Sequence, residues 1–163
     1  MTVITWLVEG TWQACTEAAR RFAPAGADIV LLHVAAQDVS DVGHGAFAGL
    51  LGRARVERDP GTAMEHLASA ASDRLLAAAS ERLGRPCTPL KRTGRAETEV
   101  VAAAEGADLL ILARDGDHTR PGPRSLGPAS RFIVDHASCP VLLVWPESPP
   151  LPLRAADAGS GVR

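Results

Sequence analysis

The chain has 163 residues, with 17 Lys and Arg against 19 Asp and Glu for a formal charge of −2, and is 46% hydrophobic. A chain of this length buries one core without disulfides or metal, and its composition excludes collagen-like, coiled-coil and disordered classes. With 4% aromatics and no tyrosine there is little to build a base-stacking platform from, and the balanced charge argues against phosphate-backbone binding, so no nucleic-acid partner is expected.

Short apolar runs alternate with amphipathic stretches. TVITWLV (2–8) has strand character and precedes a helical pattern with Trp12, Cys15, Ala19 and Phe22 on one face. DIVLLHV (28–34) is a second strand. After a Gly-rich loop from Val42 to Arg55, a long helix from about Thr62 to Leu83 gathers Met64, Leu67, Ala71, Leu75 and Ala78, and Gly84 and Pro86 mark its end. A short strand (87–92) leads to a helix with Val100, Val101 and Ala104 on one side, which Gly106 stops. DLLILA (108–113) is the clearest buried strand. Beyond a loop rich in Gly, Pro and Arg, a helix from Pro128 to Ala137 presents Ala129, Phe132, Ile133 and His136, and VLLVW (141–145) closes the pattern. The proline-rich and then Ala/Gly/Ser-rich stretch 147–163 has no periodicity and reads as a disordered tail, which leaves one α/β domain over 1–146.

Strands that are apolar throughout, alternating with helices, call for a five-stranded parallel sheet covered by helices on both faces, and right-handed crossovers leave few layouts, with an order of about 3-2-1-4-5 expected. The N-terminal segment lacks the basic stretch of an export signal, and no run approaches a membrane span. Cys15, Cys87 and Cys139 are an odd number with no C-x-x-C pair, which fits a reducing, cytoplasmic setting without membrane association. The five histidines show no zinc-binding spacing.

In a doubly wound sheet, ligands sit beyond the carboxyl ends of the strands where the strand order reverses. Here that point lies between the first and fourth strands, where Glu9-Gly10-Thr11 faces Ala113-Arg114-Asp115-Gly116. The last helix opens Gly127-Pro128-Ala129-Ser130. Its N–H groups and dipole suit a phosphate, yet the same residues also make an ordinary helix start, with Pro128 in the common first position and one donor fewer. G-x-x-x-x-G-K-[ST] and G-x-S-x-G are both absent, and Glu9 has no partner at a telling position to make it a general base.

Taken in order, these segments resemble the universal stress protein family. The strand running into Glu9-Gly10-Thr11 is similar to the family's strand ending in Asp-Gly-Ser, Leu31-Leu32-His33-Val34 to its second strand, and Ala107 to Ala113 to its fourth. The best match is the run from Gly127 through His136-Ala137-Ser138-Cys139-Pro140 to Val144. The resemblance implies a Rossmann-like domain that forms homodimers through its last strand (141–145) and, in one branch, binds ATP or AMP, with Mg accompanying ATP. Carried over, it makes Glu9 the acidic residue near the ribose, beside Gly10 and Thr11, and Val34 the backbone contact to adenine. Ala113 and Gly116 stand for the Gly-x-x-Gly pair, and Gly127, Pro128, Ala129 and Ser130 for the phosphate-binding helix start.

Four departures weaken that pattern. Glu9 replaces Asp, Ala113 replaces Gly, ten residues rather than nine separate Gly116 from Gly127, and Pro128 replaces Ser or Thr. Each lost hydrogen bond to a charged group costs about 1.5–3 kcal/mol, which together moves a micromolar site toward millimolar. Arg114, His118, Arg120 and Arg124 lie in the intervening loop, where a cation could offset part of the loss. The expected function is a non-catalytic stress-response regulator with a weakened pocket for adenine nucleotide. The alternative is a dimeric protein–protein module of the family's non-binding branch, and a weak ATP hydrolase using Glu9 and the basic loop comes third.

Overall fold

A computed structural model of the chain describes residues 1–36, 60–117, 119 and 123–146. The Gly-rich loop from Val42 to Arg55, His118, Arg120 and the 147–163 tail lie outside them. In chain order the elements are β1 (Thr2–Trp6), α1 (Trp12–Phe22), β2 (Asp28–Ala35), α2 (Pro60–Leu83), β3 (Thr88–Thr93), α3 (Ala96–Ala104), β4 (Leu109–Ala113), a 3-10 turn (Pro123–Ser125), α4 (Pro128–His136) and β5 (Val141–Val144). The strands form one sheet in the order β3-β2-β1-β4-β5, as the sequence implies, and every pairing is parallel. Among the described residues no helix is long and apolar enough to cross a membrane.

The strands are apolar on both sides because both sides are covered. Val3, Leu7, Leu31 and Ile111 turn toward α1 and α2, where they meet Cys15, Ala19, Leu76, Ala79 and Leu83. Ile4, Trp6, Leu32, Leu110 and Leu112 turn the other way, toward Val100 and Ala104 of α3 and Ile133 of α4. Each fully buried Leu or Ile contributes about 1.5–3 kcal/mol, so the three inner strands carry most of the apolar stabilisation.

The helix faces differ from the sequence reading in three places, and an aromatic or a serine misleads in each. In α1 the buried residues are Cys15, Thr16, Ala18 and Ala19, whereas Phe22 is exposed with the Arg21 guanidinium 5.2 Å from its ring centre. In α2 the inward row is Ser72, Leu76, Ala79 and Leu83, one residue out of phase with the expected one, and Leu67 is 68% exposed. Ser72 fits the interior because its hydroxyl donates to the Ala68 carbonyl at 2.9 Å, which satisfies it within the helix. In α4, Ser130 and Ile133 are buried, while Phe132 is exposed and stacks on the exposed His136 ring at 3.9 Å.

Candidate functional site

Strand order reverses between β1 and β4, and the segments leaving these two strands at their carboxyl ends flank that switch point, which is where parallel α/β sheets open a crevice. On the β1 side the chain turns through Gly10, whose φ of +86° favours a residue without Cβ. The Val8 carbonyl accepts from the Thr11 and Trp12 amides at 3.1 and 2.9 Å. Thr11 thus starts α1, but its side chain makes no cap, and its hydroxyl lies 3.4 Å from the same Val8 oxygen. Glu9 is exposed at the rim.

The β4 side is tied to the start of α4 by a backbone clamp. Arg114 N–H continues the ladder by donating to Val144 O at 2.9 Å; then Gly116 N–H donates to Ser125 O at 3.0 Å and Asp117 N–H to Arg124 O at 2.8 Å. The two arms approach so closely that a Cβ on Gly116 would lie 2.2 Å from the Arg124 carbonyl oxygen. Glycine here is therefore required by backbone contact alone, whatever the crevice binds.

The clamp delivers Gly127 to Asp115. Asp115 Oδ1 accepts from Gly127 N–H at 2.7 Å, and a Cβ on Gly127 would meet that carboxylate at 2.8–2.9 Å. Gly127 itself has extended backbone, so closeness to Asp115, and not left-handed geometry, is what makes glycine fit. A carboxylate at a helix N-terminus meets one of its unbonded amides and faces the positive end of the dipole. Pro128, the first residue of the helix, has no N–H to offer.

The other expected residues are arranged as follows. Val34 pairs in register with Arg92 of β3, and its side chain packs among the core residues over α3 and α4. Ala113 is buried, with its methyl in the cluster beneath α1. There it lies against Cys15, whose thiol is pushed up to about 12 by burial, partly offset by a backbone hydrogen bond with Ala113. Ala129 is half-buried. Ser130 is fully buried, and its hydroxyl has no hydrogen-bond partner among the described residues. The structure commits the Arg114 guanidinium to Ser125 Oγ and to the face of Trp145, 4.8 Å from the ring centre.

Three residues at this end of the sheet were not candidates from sequence. Asp115 belongs to the expected crevice segment, but nothing local singles out a carboxylate whose partner is twelve residues away. Trp145 reads as the end of a strand, and only the fold brings it to Arg114. His33 Nδ1 lies 3.0 Å from Leu7 O, bridging the ends of β2 and β1; the apolar run around it reads simply as strand. Among the described residues no group of three or more His, Cys, Asp or Glu is placed to hold a metal ion. A shallow groove lies outside the crevice, on the outer side of α4 between Arg131, Phe132 and Asp135.

The family model described as the universal stress protein family matches residues 7–144. Among solved structures, a universal stress protein in complex with cAMP is similar at a TM-score of 0.60 and 17% identity, over 90% of this chain and 98% of that one. A universal stress protein family protein from Arabidopsis thaliana with AMP bound has a TM-score of 0.59 and 18% identity, over 91% and 93% of the two chains. UspA from Lactobacillus plantarum has a TM-score of 0.56 and 15% identity, over 88% and 97%. At such identities the likeness is one of fold. No curated protein sequence matches the chain.

Proposed function

The chain belongs to the universal stress protein family, and on that premise we propose that it is a non-catalytic stress-response regulator whose crevice between β1 and β4 takes an adenine nucleotide, ATP or AMP. The observation that carries this reading is the crevice itself: two helix starts, at Thr11 and Gly127, flank the point where strand order reverses, which is where parallel α/β sheets hold ligands. Relatives of the same fold were solved with cAMP and with AMP. In this reading Glu9, Gly10 and Thr11 line the ribose side, Val34 the adenine side, and Gly116, Gly127, Ala129 and Ser130 the phosphate side.

Thermal-shift and calorimetric titration with ATP, AMP and adenosine tests it. A stabilisation that saturates at or below millimolar ligand and is abolished by Gly127→Val is the expected result. No shift with any of the three sinks the reading.

A second reading, a dimeric interaction module without nucleotide, is favoured by one observation: β5 is the outermost strand beside β4, and all four of its residues are half-buried hydrophobics. Apolar edges of this kind are normally paired or covered. Pairing of β5 between two copies predicts a dimer by light scattering, and a monomer across micromolar concentrations removes that interface.

A further inference from the structure

The start of α4 already holds a negative charge of its own. Asp115 sits on the Gly127 amide at 2.7 Å, in the position where a ligand phosphate would meet the helix. A second observation concerns the same turn. Ser130 is 0% exposed, and its hydroxyl has no partner among the described residues. Helical Cα–Cβ bonds lean toward the N-terminus, so the Ser130 side chain leaves its Cα on the side of the first turn. An unmet polar group there suits a ligand oxygen better than a closed core.

We propose that Asp115 determines which adenine ligands the crevice accepts: its carboxylate holds the anion position at the α4 start, so adenosine binds ahead of AMP, and AMP ahead of ATP. The inference rests on the adenine pocket proposed above. A phosphate entering this turn either displaces Asp115, giving up its hydrogen bond to Gly127, or lies beside a like charge. The ribose and adenine contacts are untouched by that competition. On the same segment the Arg114 guanidinium lies on Ser125 Oγ and over the Trp145 ring. The discrimination is therefore by charge at one position and not by the shape of the base.

The test uses the full chain and its Asp115→Asn variant, which keeps an oxygen acceptor for the Gly127 amide while removing the charge; Asp115→Ser serves as a second variant should the first not fold. Both proteins are titrated with adenosine, AMP, ATP and inorganic pyrophosphate. Removing the charge is expected to tighten ATP and pyrophosphate by about tenfold, AMP by less, and to change adenosine by less than about twofold. Equal changes for all four ligands, or no change, overturn the role of Asp115. The pyrophosphate arm is independent of the adenine pocket. If neither protein binds adenosine, AMP or ATP, the proposed nucleotide function fails; a variant that alone binds pyrophosphate still upholds Asp115, and identical behaviour of the two proteins overturns it.

Discussion

At the start of α1 one carbonyl, that of Val8, accepts both the Thr11 and Trp12 amides within a single tight turn, whereas at the start of α4 the Gly127 amide is met by Asp115, twelve residues upstream. The first arrangement is local and needs only a glycine that turns the chain. The second exists only while the clamp between 116–117 and 124–125 holds two segments together. Two helix starts facing one crevice thus have different vulnerabilities: the β1 side tolerates side-chain changes, and the α4 side depends on contacts made at a distance.

The largest effect is expected from breaking the clamp. Gly116→Ala places a methyl 2.2 Å from the Arg124 carbonyl oxygen, backbone against backbone, at a cost of about 3 kcal/mol. Urea denaturation measures it, and an unchanged midpoint would show that α4 does not need the clamp.

On the buried face of α1, Cys15 makes stability depend on pH in the alkaline range. Its folded pKa is raised to about 12 from an ordinary 9.0, so the stability that depends on the neutral thiol is fully present below about pH 9 and is lost as pH rises toward 12. By pH 10 the loss reaches about 1.4 kcal/mol. Denaturation midpoints at pH 8 and pH 10 should differ less in Cys15→Ala than in the parent chain. An equal difference in both would assign the alkaline loss to other groups.

Asp115→Ala removes the carboxylate at the α4 start and is expected to cost about 1 kcal/mol, as other N-terminal cap losses do. Thermal melting measures it, and a change no larger than that of Thr11→Ala would erase the contrast between the two helix starts. Thr11→Ala itself should cost less than about 0.5 kcal/mol, because the Thr11 side chain makes no cap. A loss of 1 kcal/mol or more there would mean that the β1 side, too, depends on a side chain.

The places where the sequence misleads share a cause. Periodicity assigns a helix its face by collecting the largest apolar residues, and so draws Phe22, Leu67 and Phe132 inward. The sheet is wide and closely covered, and against it the helices pack small residues, Ala19 and Ala79 among them. The two phenylalanines are left at the margins, where Arg21 and His136 cover them. Ser72 hides the true face of α2 because a hydroxyl satisfied inside its own helix behaves as a small apolar group. Gly116 reads as part of a ligand motif, yet the clamp explains it without one.

The sequence by itself determined the five strands and their alternation with helices, because apolar runs bounded by turn residues are local signals, and it narrowed the layouts of parallel strands to a few, among them the observed order β3-β2-β1-β4-β5. With that order, the switch point between β1 and β4 is where a ligand is expected. Only the tertiary structure decided the phase of the helix faces, the commitment of Arg114 to Ser125 and Trp145, and the meeting of Asp115 with Gly127. These depend on which segments the packed sheet holds within hydrogen-bonding distance, and residue spacing along the chain carries no record of that distance.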